Sequence, residues 1–353
     1  MLKHMHRFMI FLLAAVLYSA AEPTSKANAN LQRILKRYPQ ADANKDGVLT
    51  LTEAKAFQKK RQDREVNRPK LKPTTADIIY GPHKRNRLDL WLPETDKPTP
   101  LLVCIHGGGF RGGDKSKYHM QVSLIKSMHK AGISVASINY RFTEGGKNPL
   151  PISMHDAARA IQYLRHHAKK YNLNKSRFAA TGSSAGACIS LWLAFHDDLA
   201  DSGNDDPILR ESTRLIATVP VGGQPTLSQR TFEQWFGVKA LVEHPAMRAI
   251  YGLPPGGKIK WTGELEAHAR AISPITYLTR DDPACYMVYG AADTKITPSS
   301  PPNEWVHHPR LGIKLKEAMD KLGIECHVQY KDGPKVKGYR DQKDFLIRKL
   351  TGK

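Results

Sequence analysis

The sequence predicts an α/β fold: a mostly parallel central sheet with helices on both faces, preceded by a small helical module. Three observations carry this. From residue 74 onward, short apolar runs alternate with stretches of helical periodicity. The inner runs, such as 101–105 and 178–182, lack polar alternation, as strands covered on both faces do. Two of them stop at glycine-rich turns, His106-Gly107-Gly108-Gly109 and Gly182-Ser183-Ser184-Ala185-Gly186, and an apolar helical segment follows the second.

A chain of 353 residues with 41% hydrophobic content can bury a large core. The net charge of +21 raises nucleic acid or another anionic surface as a partner. No helix-turn-helix, zinc-finger or stacking-aromatic pattern accompanies it, so nucleic acid is not expected. Much of the excess lies in two flanks, 55–72 and 331–353.

The first element is an export signal at residues 1–21. Lys3, His4, His6 and Arg7 form a basic start, 8–17 is a short apolar run, and Ser19 and Ala21 suit cleavage before Glu22. The run is short for a membrane span, and no later stretch is long and apolar enough for one. The expected destination is periplasmic or extracellular. Whether the signal is cleaved stays open.

Residues 22–73 form the helical module and a basic linker. Residues 30–38 place Leu31, Ile34 and Leu35 on one face of a helix. Residues 42–53 then fit an EF-hand calcium loop. Asp42, Asn44 and Asp46 supply oxygens at loop positions 1, 3 and 5, and Gly47 allows the sharp turn at position 6. Val48 offers its carbonyl, Thr50 acts directly or through water, and Glu53 supplies a carboxylate at position 12. A hard cation wants oxygen donors at this alternation. Lys45 between two ligands, and the lack of a second loop, argue for modest affinity.

The main domain spans 74–353. Residues 78–80 and 88–92 read as an antiparallel opening pair. Strands follow at 101–105, 133–140, 178–182, 215–221, 285–289 and 326–330. Helices are expected at 115–130, 152–170, 311–322 and 344–350. Residues 224–279 interrupt the alternation with loops, Trp235, Trp261 and several prolines, and are expected to form an excursion or lid over the site. Cys104, Cys188, Cys285 and Cys326 fall in core segments without zinc-ligand spacing and read as buried free thiols. A Cys285–Cys326 bridge is the one pairing to check.

The two glycine turns carry the chemistry. Gly182-Ser183-Ser184-Ala185-Gly186 is a G-x-S-x-G sequence between strand and helix. That context exposes Ser184 on a sharp turn at a helix N-terminus. Acyl transfer through a serine passes through a tetrahedral oxyanion, which needs N–H donors. Gly107, Gly108 and Ala185 are the expected donors. No cofactor is expected for that chemistry.

Leu88-Asp89-Leu90-Trp91-Leu92-Pro93, the His106 to Lys117 stretch, Tyr140-Arg141-Phe142, residues 156–161 and the Ser184 elbow together resemble α/β-hydrolase-fold esterases. The similar branches are those of hormone-sensitive-lipase type and bacterial feruloyl and acetylxylan esterases. The resemblance weakens after Gly222. It implies hydrolysis of carboxylic esters, often acyl groups on carbohydrate, through an acyl-enzyme on Ser184. It further implies the chain order serine, acid, histidine.

Asp293, in the Gly290-Ala291-Ala292-Asp293 turn after a core strand, takes the acid position. The expected histidine position after the last strand holds Lys337 instead. Three accounts stay open. His308 or His307 reaches in from the preceding proline-rich loop, with His308 the provisional choice. Lys337 is the base, which requires burial to depress its pKa. Or the chain has lost hydrolysis and binds a ligand.

Overall fold

The computed structural model describes residues 22–353; the expected export signal lies outside the described residues. The described chain divides into two compact units between Pro69 and Lys70.

The first unit pairs α1 (Ala29–Arg37) with α2 (Leu51–Val66). The Asn28 side chain caps α1 by accepting from the N–H groups of Asn30 and Leu31. Leu31, Ala41, Leu49 and Ala54 form its small core. Between the helices, the 42–53 loop is built of side-chain turns. Asp42 accepts from the Gly47 N–H (2.8 Å), Asn44 from Asp46 (3.0 Å) and Asp46 from Val48 (2.7 Å). Gly47 turns the chain with φ at +81°. Glu53 accepts from the N–H (3.0 Å) and hydroxyl (2.8 Å) of Thr50, and from the Ala43 N–H (3.1 Å). The donor set is all oxygen, as a hard cation requires. Among the described residues, no three His, Cys, Asp or Glu groups converge on one point.

The second unit is an eight-stranded sheet in the order β1-β2-β4-β3-β5-β6-β7-β8. The strands are β1 (Thr75–Ile79), β2 (Arg87–Trp91), β3 (Thr99–Ile105), β4 (Ser134–Ile138), β5 (Leu173–Ser183), β6 (Ala217–Val221), β7 (Ala284–Val288) and β8 (Cys326–Gln329). β1 and β2 are antiparallel, β2 and β4 are antiparallel, and the remaining pairs are parallel. This is the α/β-hydrolase-like arrangement.

The helices are α3 (Val122–Lys130), α4 (Ile152–His166), α5 (Ala185–Phe195), α6 (Gln229–Phe236), α7 (Met247–Ile250), α8 (Gly263–Ala271), α9 (Pro302–Trp305), α10 (Pro309–Lys321) and α11 (Gln342–Thr351). The period-2 geometry of the strands assigns them to faces. Leu101, Val103 and Ile105 belong to the core that α4, α5 and α10 cover. Leu102 and Cys104 pack on the opposite face with Ile125 and Met128 of α3 and Phe345, Leu346 and Leu350 of α11. Both faces of the inner strands are therefore dry, as their unbroken apolar runs predict.

The expected helix at 115–130 is split. Lys115–Met120 is a 3-10 stretch, and the α-helix begins only at Val122. The Lys115 side chain is buried, with its ammonium 2.7 Å from Asp89 and 2.9 Å from Asp77. Asp114 caps the stretch by accepting from the Ser116 N–H. All four cysteines are buried and free. Cys285 and Cys326 are register partners on β7 and β8, and no bridge joins them. Among the described residues, no helix is long and apolar enough to cross a membrane.

Candidate active site

β3 has β4 on one side and β5 on the other, so the chain reverses its direction of winding there. In parallel sheets, ligands bind at the carboxyl ends of strands where such a reversal opens a crevice. The two glycine turns leave β3 and β5 at that edge.

Ser184 follows β5 as the N-cap of α5, with φ +52° and ψ −117°. A side-chain-bearing residue rarely adopts positive φ, so its surroundings must hold it there. Its N–H donates to the Val221 carbonyl (2.9 Å), and its carbonyl accepts from Cys188 (2.9 Å). Gly182 and Gly186 are required sterically. A Cβ on Gly186 would lie 2.1 Å from the Ile105 carbonyl oxygen, and one on Gly182 would lie 2.2 Å from the Gly186 oxygen. The α5 helix therefore runs hard against the end of β3.

The same closeness governs the 106–109 turn. A Cβ on Gly107 would lie 2.5 Å from the Ser183 carbonyl oxygen. Gly108 has φ +129°. Among the described residues, no main-chain hydrogen bond uses the N–H of Gly107 or Gly108. The Ala185 N–H opens α5, where the first turn has no intrahelical acceptor. These donors are free to meet an anion beside Ser184. His106 braces the turn. Its ring stacks on Tyr140 (centroids 4.4 Å apart), and its Nδ1 lies 2.9 Å from the Gly107 oxygen. Burial pushes its pKa down to about 4, which keeps it neutral.

The histidine question has a geometric answer. His307 Nε2 lies 2.9 Å from Ser184 Oγ. His308, the provisional choice from sequence, faces elsewhere. Its Nδ1 accepts from the Arg310 N–H (3.2 Å), and its Nε2 lies 2.9 Å from the Thr294 carbonyl oxygen. The physical reason is helix capping: His308 is the N-cap of α10, and both ring nitrogens are occupied. Lys337 is exposed and lies between β8 and α11. Asp293, the expected orienting carboxylate, is held by Arg310 in a two-nitrogen contact (3.0 and 3.2 Å). It lies 3.7 Å from His308 Nδ1, beyond hydrogen-bond range, and that nitrogen already accepts an N–H. The expected Ser184–His308–Asp293 set is thus not assembled. Ser184 is joined by His307 instead.

Burial lowers the His307 pKa, and the Asn303 main-chain carbonyl opposes that by favouring the protonated ring. Among the described residues, no carboxylate oxygen lies within 4.0 Å of its ring nitrogens. With Nε2 on Ser184, Nδ1 is the nitrogen left for the carbonyl. Gly222 (φ +62°) makes room for the ring, since a Cβ there would lie 3.2 Å from His307 Cδ2.

The sequence places an excursion over the site but does not single out which of its residues line it. A cavity of about 40 Å³ beside Ser184 is lined by Gly109, Phe110, Leu227, Phe232, His244 and Met247, among others. Most of these lie in the 224–279 interruption, so the expected excursion supplies walls of the site. His244 Nδ1 accepts from the Ala246 N–H (3.2 Å), and burial beside Arg111 and His307 pushes its pKa down to about 4. Its neutral ring therefore carries the proton on Nε2. Nothing in the local sequence marks His244. Gln224 also lines the cavity, and only the Gly222-Gly223 pair before it hinted at a special turn.

Residues 88–302 match the family described as BD-FAE, a span of more than half the chain. Among curated proteins, the chain is 27% identical over 228 residues to "Probable carboxylic ester hydrolase LipM" of Mycobacterium tuberculosis, covering 63% of this chain and 48% of that one. It is 28% identical over 176 residues to "Probable isoprenylcysteine alpha-carbonyl methylesterase ICMEL1" of Arabidopsis thaliana, covering 49% and 33%. The chain thus spans between a third and a half of these relatives' length. Among solved structures, a truncated carbohydrate esterase from gut microbiota superposes with a TM-score of 0.58 at 20% identity, covering 80% of this chain and 98% of that one. An acetyl ester-xyloside bifunctional hydrolase from Caldicellulosiruptor lactoaceticus gives 0.56 at 19% identity, covering 75% and 88%.

Proposed function

The chain belongs to the BD-FAE family, and on that footing we propose that it is an exported serine hydrolase of carboxylic esters. Ser184 is the nucleophile and His307 its base. The carrying observation is the 2.9 Å separation of His307 Nε2 from Ser184 Oγ on a strained elbow. It favours catalysis over the non-catalytic binding role.

Neutral His307 takes the Ser184 hydroxyl proton as Oγ bonds to the ester carbonyl carbon. The carbonyl oxygen becomes an anion facing the N–H groups of Gly107, Gly108 and Ala185. The C–O bond to the alcohol breaks, and His307 returns its proton to the departing oxygen. Water repeats the cycle on the acyl-enzyme and releases the acid. The buried, uncharged state of His307 suits the first step, because only the neutral ring accepts a proton. The small apolar cavity fits a short acyl group, and we take a carbohydrate hydroxyl as the alcohol part. That choice is consistent with the carbohydrate esterases among the structural neighbours.

The test is turnover of p-nitrophenyl acetate, butyrate and octanoate by wild type and Ser184→Ala. Acetate turnover that disappears in the variant, with octanoate the poorest substrate, is expected. Equal rates for both proteins would end the esterase reading.

We also propose that the 42–53 loop binds calcium through Asp42, Asn44, Asp46, the Val48 carbonyl, Thr50 and Glu53. When bound, the ion would supply a charged tie across the loop between α1 and α2. The Asx turns at Asp42, Asn44 and Asp46, with Gly47 at positive φ, support this. Calcium should raise the thermal midpoint of wild type but not of Asp42→Ala; no shift in either discards the site.

A further inference from the structure

A serine–histidine pair needs something to hold the imidazole at the angle of attack. A carboxylate on Nδ1 commonly does this, and it also steadies the charged ring. Among the described residues, no carboxylate oxygen lies within 4.0 Å of a His307 ring nitrogen, and Asp293 is engaged with Arg310. The main chain on either side of His307 is instead pinned.

On the N-terminal side, the Gln224 amide nitrogen donates to two carbonyls at once: Gly222 (2.7 Å) and Val306, the residue before His307 (2.6 Å). Trp305 is fully buried and donates from its indole N–H to the Val242 carbonyl (3.2 Å). On the C-terminal side, His308 is fixed as the α10 cap. The far end of the Gln224 bridge is itself anchored to the sheet, since the Gly222 N–H donates to Val288 at the end of β7 (2.7 Å). The absent Cβ of Gly222 then gives the His307 ring its seat.

We propose that Gln224 is the positioning residue of the His307 base, and that the site operates as a Ser184–His307 pair without a carboxylate partner. This rests on the esterase reading of the same site. Gln224 buttons the histidine segment to the β6 end, beside the elbow that presents Ser184. Both amide hydrogens are used in doing so, so a side chain of equal length without donors releases the segment. Displacement of a reacting group by about 1 Å costs on the order of 100-fold in rate.

The experiment measures kcat and KM for p-nitrophenyl acetate, with thermal midpoints, in wild type, Gln224→Met, Asp293→Asn and Ser184→Ala. For Gln224→Met, kcat should fall roughly 10- to 100-fold with KM within about threefold. A smaller folded fraction would also lower apparent kcat at constant KM, so each kcat is normalised to the folded fraction and read well below the variant's thermal midpoint. Asp293→Asn should keep kcat within about threefold, whereas losing a triad carboxylate costs on the order of 10⁴-fold. If Gln224→Met does not accumulate, Gln224→Asn, one methylene too short to bridge, is read the same way. Unchanged kcat in the Gln224 variant, or a loss of about 1,000-fold or more in Asp293→Asn at an unchanged midpoint, overturns the proposal. A Ser184→Ala protein as active as wild type would instead sink the esterase reading beneath it.

Discussion

The two glycine turns and the segment carrying His307 serve one site but are held by different means. The turns are fixed by contact at the shortest range: Gly186 lies against the end of β3, and Gly107 lies against Ser183. A single added carbon would collide with main chain. The histidine segment is fixed from a distance, by Gln224, by the Trp305 anchor and by the cap at His308. Steric turns tolerate almost nothing locally. A segment held by remote hydrogen bonds tolerates change but loses aim. Substitutions in the first should therefore damage the fold, and those in the second should damage rate.

The largest expected effect is on rate. His307→Gln should lower kcat for p-nitrophenyl acetate by about 10⁴-fold or more, with the thermal midpoint within a few degrees, since a base acting as a unit with its nucleophile carries most of the acceleration. A fall in midpoint that accounts for the lost activity would erase the contrast. Next, Gly186→Ala should cost about 3 kcal/mol through overpacking against the Ile105 carbonyl, read as a midpoint lower by roughly 6–12 °C. A wild-type midpoint would mean that the turn yields.

Smaller is His308→Ala. Losing the α10 cap should cost about 1 kcal/mol, or roughly 2–4 °C, and loosen the histidine segment from its C-terminal side, lowering kcat roughly 10-fold. A loss of 1,000-fold or more would make His308 the base after all. The smallest effect is in the pH profile. Burial holds His307 below the usual histidine value of 6.5, and the base acts only when neutral. Activity is lost as pH falls through that pKa, so the acid limb of kcat/KM should lie below 6.5. The titrating neighbour is His244, while Glu304 and the Asp293–Arg310 pair act on His308. An acid limb above the ordinary value would imply a carboxylate close to the ring.

The same contrast explains what was legible in the sequence. Leu101 to Ile105 announced a doubly buried strand because every side chain in it meets a dry face. Gly107, Gly182 and Gly186 announced tight turns because only glycine fits there, and short-range sterics leave a mark in the residues themselves. Asp293 and His308 stand at suitable places along the chain, but direction in space decides, and it takes both away from Ser184. Both residues are drawn into the start of α10, one by Arg310 and the other by capping. His307 differs from His308 by one step, and a step of one residue reverses which way a side chain points. The roles of His244 and Gln224 are not written in their local sequence, because they exist only once the 224–279 excursion has packed beside Ser184 and Ala185.

His307 and His308 are neighbours whose rings are wired in opposite senses. In His307 the bare nitrogen is Nε2, toward Ser184; in His308 it is Nδ1, toward the Arg310 N–H. The two therefore rest as opposite tautomers, and nitrogen NMR separates such forms by the shift of the unprotonated nitrogen. One chain segment thus reports on itself without any substrate. The His307 pattern should move when an inhibitor occupies Ser184, while that of His308 stays in place as an internal standard one peptide bond away.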